Sequence, residues 1–597
     1  MRKIFNWLFI AILAVGLWYL VRTNKSSDAK SSKKKEEKVL NLVCSAQIAG
    51  LDPAVNADLY CSIEMNKVYE GLLEFDYLAR PHKLIPNLAE SMPTISGDGL
   101  TYTFNIRKDV FFQDNKCFKD GKGRRLKAQD FVYSIKRVAD PKLQSPVFEF
   151  LDGRIDGLSE WHAKYVNAEA TDYSCEIEGL KALDDYTVQF KLTKPCPQFL
   201  NFLAMHMCFA VPEEAVKFYG KDFLNNPVGT GAFVIEKFNP QENKVVAVRN
   251  PTFRKKYFPE EAANEFKHML VYAGKELPLV DKIVTNIITE DQPKMLKFQN
   301  GDLDIIAVSG PASVNVIKNH ELTPEFTAKG IKLILTPEVG TCFWVLNCTK
   351  EPLNNTFLRQ AMSLAFDRQK EIEMFRNGLA IPAQSIIPPG LEGNKVGYIN
   401  KNNVFNLEEA KKLMVKAGYP GGKGLSDITI NTVSDSLGRQ IAEFFANCMS
   451  QIGIKVKVEM SSWPEMVNKA SAGNTQIHGA AWGADYADAE NFFMILYKSD
   501  ERKGGVNAHY KNDKFNELYE KAAVMNPSPE RTLLYEQINE MVANEVPIIC
   551  TEHRLHPALY HGWVKNYVWS DFLQYTNWLY IDIDLQRKAE LLPKLKK

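Results

Sequence analysis

The sequence predicts an α/β protein built from mixed sheets. Three observations lead there. Strand-like and helix-like segments alternate from residue 39 onward. Two strand-like runs, 428–433 and 454–460, bracket a helical pattern at 438–450, the spacing of a parallel crossover. There is no internal repeat, no heptad pattern and no second long apolar run. At 597 residues the chain exceeds what one hydrophobic core holds, and roughly four domains or subdomains are expected.

In chain order, the first segment is apolar. Residues 4–21 carry Asn6 as their only polar side chain apart from Trp and Tyr, between Met1-Arg2-Lys3 and Arg22. This is a secretory signal or a membrane anchor. Bulky Leu17-Trp18-Tyr19 follow the small Ala14 and Gly16, which favours an uncleaved anchor, and no Cys is present for a lipid. Residues 22–38 hold seven Lys/Arg and no apolar residue but one Ala, so they read as a disordered charged linker. The body opens on the strand-like run 39–43. Residues 102–106 and 186–192 alternate like half-buried strands, and 128–138 has apolar spacing fit for a helix. The patterns at 358–366 and 407–417 are amphipathic helices, the second closed by Gly418 and Pro420.

Charge and motifs exclude several classes. Residues 1–38 hold nine basic and three acidic residues, a local +6, so a net charge of +1 leaves −5 on the rest. A mildly acidic body is not a nucleic-acid binder. The chain lacks HExxH, GxSxG, GxxxxGK[ST], a strand-following GxGxxG and any CxxC. Gly421–Gly424 follows a helix end and reads as a turn. His553, His556 and His561 have no acidic or Cys partner at helical spacing and read as surface histidines. Asp184-Asp185 and Glu213-Glu214 are adjacent pairs and read as solvated. Ten cysteines permit disulfides in an oxidising compartment without specifying their pairing. Neither an enzyme, nor a cofactor, nor a metal site is expected.

Several segments in order carry a family resemblance. They are Leu51-Asp52-Pro53, Tyr69-Glu70-Gly71-Leu72-Leu73, Pro86 to Ser91, Tyr102 to Arg107, Val110 to Asp114 and Lys127 to Ser134. Pro227 to Phe233, Phe298 to Asp304, Arg359 to Arg368 and Ala410 to Pro420 continue the series. Together they resemble the bacterial extracellular solute-binding proteins of family 5, the peptide- and nickel-binding family, and most closely its oligopeptide-binding branch. The resemblance implies a type II periplasmic-binding-protein fold, with two α/β lobes, a hinge between them and an inserted subdomain in the first lobe. Lobe I would comprise 39–71, 210–335 and 547–597, the insertion 72–209, and lobe II 340–546. A ligand would bind between the lobes, and closure would be read by a transporter.

The resemblance also implies site residues. Ala480 to Tyr486 is similar to the strand that pairs with the peptide backbone in the oligopeptide branch, and Asp485 takes the place of the carboxylate that meets the peptide's α-ammonium. Ala481, Trp482, Gly483 and Tyr486 would line the strand and its pockets. Cys342, Phe343 and Trp344, in the run Gly340–Asn347, would form a second ligand-contacting strand, with one aromatic in the cleft and one in the core. Leu59 would border the pocket. Close relatives carry arginines for the ligand's carboxylate where this chain has Gly479 and Ala470, so the far end of the ligand would be held differently. Ala489 stands where many relatives have Pro.

The expected function is capture of oligopeptides for an ABC importer, with its permease and ATPase as partners. The expected form is a monomer outside the cytoplasmic membrane, periplasmic or extracytoplasmic, tethered by residues 4–21. Two alternatives stay open. One is a non-peptide or smaller solute on the same fold: a dipeptide, an oligosaccharide, an antibiotic or a nickel chelate. The other is a membrane-tethered peptide sensor or chaperone.

Overall fold

The computed structural model describes residues 36–595 except 57, 239, 240, 242, 309 and 500–505. The apolar run 4–21 and nearly all of the 22–38 linker therefore lie outside the described residues. Among the described residues, no helix is long and apolar enough to cross a membrane.

The predicted strands form, and most join one of three sheets. Val39–Cys44 pairs in parallel with Lys282–Ile287, and Lys244–Arg249 and Phe233–Phe238 extend that sheet antiparallel. Thr101–Asn105 and Thr187–Lys191, both read from alternation, pair with each other in a second, antiparallel sheet with Thr94–Ile95 and Leu180–Asp184. Ala128–Ala139 forms the helix expected beside them. The largest sheet runs Ile305–Ala307, Ile548–His561, Gly340–Leu346, Ile477–Gly483, Ile428–Val433, Val456–Ser461. Its last two strands are parallel around the helix Ser436–Ser450, as the spacing predicts.

One strand serves two halves of this large sheet. Ile548–His561 is 14 residues long. Its later half pairs with Ile331–Pro337, from Pro337↔Leu555 to Ile331↔His561. Its first half pairs with Gly340–Leu346, from Val345↔Ile548 to Cys342↔Glu552. The chain thus crosses between the two halves at 337–340 and again at 552–555. Trp563, Trp578, Phe233 and Ile283 share a core on one side of the crossing, and Phe343, Phe493 and Tyr535 share one on the other.

The segments that carry the resemblance are mostly structural. Glu70 receives both Arg254 Nη1 contacts at 2.7 Å and the Thr230 hydroxyl at 3.0 Å, while Arg254 Nη2 donates to Asn87. All four side chains are buried. The glycine turn beside them is forced by proximity: a Cβ on Gly229 would lie 2.0 Å from the Val68 carbonyl. Asp304 is fully buried and accepts from the Asn41 amide, the Trp563 indole and Lys588. Arg359 donates to the carbonyls of Leu353, Glu545 and Val546, closing the end of the helix Pro529–Glu545. Asp52 meets Arg137 through two 2.8 Å bonds.

The histidine cluster differs from the sequence expectation. His553, His556 and His561 lie on the shared central strand, where His553 and His561 are buried and His556 is half-buried instead of lying at the surface. His561 is stacked between Phe298 and Trp563 at 4.2 and 4.0 Å, and His556 lies flat on Trp569 at 3.7 Å. Burial pushes all three down to about 4. The ten cysteines, all within the described residues, are free thiols. Asp184 and Asp185 are exposed, as adjacency suggested.

Two predictions follow from this packing. Asp52→Ala leaves the Arg137 guanidinium buried without its carboxylate, and equilibrium urea unfolding is expected to show a loss of about 3–5 kcal/mol. The second concerns pH. A histidine held neutral when folded binds a proton more readily when unfolded, so its contribution is present above about pH 6.5 and is lost as pH falls towards 4. His556→Phe removes that dependence. Between pH 7 and pH 5 the variant's stability is expected to rise relative to the parent by about 2 kcal/mol.

Candidate functional site

The site is built around the strand Ile477–Gly483. One edge pairs along its whole length with Gly340–Leu346, from Leu346↔Ile477 to Gly340↔Gly483. The other edge pairs with Ile428–Val433 only at Ile477 and His478. The two parallel strands then diverge, because the chain after Val433 turns into the helix that Asp435 caps through the Gly438 amide at 2.7 Å. Residues 479–483 therefore present an edge that no described strand pairs. Ala481 and Gly483 are exposed, and nothing lies within 4 Å of where a Gly483 Cβ would be.

The strand ends in a turn organised by Asn491, which is fully buried. Its Oδ1 accepts from the Trp482 indole at 3.1 Å and from the Asp485 amide at 3.0 Å, and its Nδ2 donates to Asp485 Oδ2 at 2.9 Å. One amide thus fixes both the Trp482 ring and the Asp485 carboxylate. Asp485 is itself exposed. Tyr486 is buried; it donates to Glu490 at 2.5 Å and meets Phe202 edge-on at 5.4 Å. Tyr519 donates to the same Glu490, and burial raises that carboxyl.

Two cavities adjoin this turn. One, about 410 Å³, is bordered by Leu59, Tyr69, Phe75, Asp485, Phe572 and Tyr575. The other, about 450 Å³, is bordered by Phe150, Arg154, Trp482, Asp485, Tyr486 and Tyr497. Asp485 stands on both, as do Glu149 and Phe150. Tyr575 is pushed up to about 12, by burial first and then by the negative charges of Asp571 and Asp485.

The strand Gly340–Leu346 is placed differently from the expectation. It lies beside Ile477–Gly483 in the same sheet, and its other edge is taken by Ile548–His561. From Cys342 to Leu346 its backbone is thus bonded on both sides and leaves no edge for a ligand. Phe343 and Trp344 do alternate, but each enters a core, Trp344 against Phe445 at 5.0 Å. Cys342 is buried as well, and none of the three borders either cavity.

The chain matches the model of the bacterial extracellular solute-binding proteins, family 5, over residues 83–504. It belongs to that family. It is 25% identical to the periplasmic oligopeptide-binding protein OppA of Escherichia coli over 545 residues, covering 90% of this chain and 91% of that one. It is 27% identical to the heme-binding protein A of Haemophilus influenzae over 580 residues, covering 94% and 96%. Among solved structures it resembles the periplasmic binding protein DppA of Helicobacter pylori in complex with the peptide STSA, with a TM-score of 0.65 and 24% identity, covering 93% and 100%. The fold of this family member is therefore the two-lobed type II binding-protein fold.

At the two positions where the resemblance would place carboxylate-binding arginines, the chain has Gly479 and Ala470. A Cβ on Gly479 would lie 3.0 Å from the Trp344 ring, which fills that space. Ala470 is fully buried. Lys469 pairs with Glu465 at 2.9 Å, and His478 is buried. Sequence reasoning missed Asn491, Phe150 and Asp571. Only Asn491 lay near enough in sequence to Asp485 to be suspected, and an Asn carries no pattern of its own.

If Asn491 is the common anchor, Asn491→Ala leaves the Trp482 indole and the Asp485 amide without their acceptor. Thermal and denaturant unfolding are expected to show a loss of about 1–3 kcal/mol, with a shift in tryptophan emission as the Trp482 ring loosens.

Proposed function

We propose that this protein captures oligopeptides in the cleft beside residues 479–486 and delivers them to an ABC-type importer, performing no chemistry on them. One observation carries the reading: an exposed strand with an unpaired edge that ends at a positioned carboxylate. Strand addition along 479–483 would use backbone hydrogen bonds common to every peptide, so many sequences could bind. Asp485 would receive the α-ammonium, which is cationic below about pH 8. The charge-assisted bond would fix the register of the whole ligand. Trp482 and Tyr486 would wall a side-chain pocket, and Gly483 would let the ligand backbone approach.

In this reading lobe I comprises 39–71, 210–335 and 547–597, the inserted subdomain 72–209, and lobe II 340–546, with a hinge between the lobes. The partners are a permease and an ATPase, the working form is a monomer, and residues 4–21 hold it at the membrane outside the cytoplasm. The likeness to a heme-binding protein supports a second reading, a non-peptide solute on the same fold.

The readings separate on one comparison. Asp485→Asn is expected to weaken binding of free-amine peptides by about 2–5 kcal/mol while leaving acetylated ones nearly unchanged, measured by calorimetry on the full chain. Equal loss for both peptides would refute the role given to Asp485. A single non-peptide compound released from the denatured protein, identified by mass spectrometry, would establish the second reading.

A further inference from the structure

The 410 Å³ cavity has an unusual charge balance. Five carboxylates border it (Glu70, Glu74, Glu149, Asp485 and Asp571) against the single ammonium of Lys256. Two of the five are matched within the wall, Glu70 by Arg254 at 2.7 Å and Glu74 by Lys256 at 2.6 Å. His206, also on the wall, is pushed down to about 4 by burial and is neutral at physiological pH.

Asp571 is a different case. One carboxylate oxygen accepts from the Val339 amide at 2.7 Å, and no lysine or arginine among the described residues lies within ion-pair distance of it. It is half-buried, and burial raises its carboxyl. A carboxylate so placed is destabilised until a cation meets it. The surrounding wall is aromatic: Phe572 stacks on Phe75 at 5.2 Å, and Tyr575 and Trp578 continue the surface. Aromatic faces beside a carboxylate favour ammonium and guanidinium groups over neutral ones, and walls of one charge sign concentrate the opposite ion.

We propose that this cavity holds a lysine or arginine side chain of the bound peptide, and that Asp571 is the residue that selects it. The proposal rests on the peptide reading above. Asp485 and Asp571 border the same cavity, so a ligand whose α-ammonium sits at Asp485 would carry its basic side chain near its amino end. Asp571 thereby sets side-chain preference, while Asp485 sets register.

The test is calorimetry on the full chain with tetra-alanine and with peptides in which lysine, or uncharged norleucine, occupies each of the four positions in turn. Lysine in one of the first two positions is expected to bind about tenfold or more tighter than norleucine there. In Asp571→Asn, whose amide oxygen still accepts from Val339, that preference is expected to fall to about twofold. A lysine preference that survives the substitution overturns the proposal. So does peptide binding by the parent protein with no lysine preference, a result that needs no variant to fold and leaves the peptide reading standing. Failure of every peptide to bind overturns the peptide reading and this proposal together.

Discussion

The architecture depends on one strand that two halves of a sheet must share. Residues 548–561 supply hydrogen bonds to 331–337 at one end and to 340–346 at the other. Every backbone group in the middle of a sheet must be paired, so this strand cannot leave one partner without exposing the other. It fixes where the chain crosses between the halves. Because 342–346 is bonded on both edges, it also leaves the next strand, 477–483, as the one whose outer edge opens to the cleft. The candidate site is in this sense a consequence of sheet order.

The buried polar groups follow the same logic. Glu70, Asn87, Thr230 and Arg254 come from four distant segments and satisfy one another in a place with almost no water. Asp304 does the same for an amide, an indole and an ammonium. Any one of these groups left alone would be costly, and complete they specify a single arrangement of segments. The motifs that announce the family are mostly of this kind. They hold the scaffold around the ligand, and Tyr69, Glu70 and Asn87 also border the 410 Å³ cavity.

The cleft itself is built from small departures. Divergence of two parallel strands after residue 478 opens an edge five residues long. Asn491 gives Asp485 and Trp482 a common reference. Trp344 packs beside Gly479, where an added Cβ would lie 3.0 Å from its ring. The charge left uncompensated on the cavity wall is negative, at Asp571. In the proposed reading this wall suits cations at the ligand's amino end, and positions 470 and 479 are Ala and Gly.

Much of this was legible in the sequence because it rests on local pattern. Alternation marked 102–106 and 186–192 as strands, helical spacing marked 128–138, and strand–helix–strand spacing marked the crossover at 428–460. Asp485 was legible through the ordered motifs around it. What the sequence could not show were relations across hundreds of residues. Alternation said that Phe343 and Trp344 face opposite sides, but not that both sides are core, because that depends on which strands flank them. His553, His556 and His561 looked solvent-facing because polarity is a weak signal on a strand whose neighbours on both edges bury most of it. Asp571 stood in no motif at all; it became a candidate only when folding set it, 86 residues from Asp485 along the chain, on the same cavity wall. Local geometry is written in neighbouring residues, whereas burial, charge balance and the free edge of a strand exist only once distant segments have met.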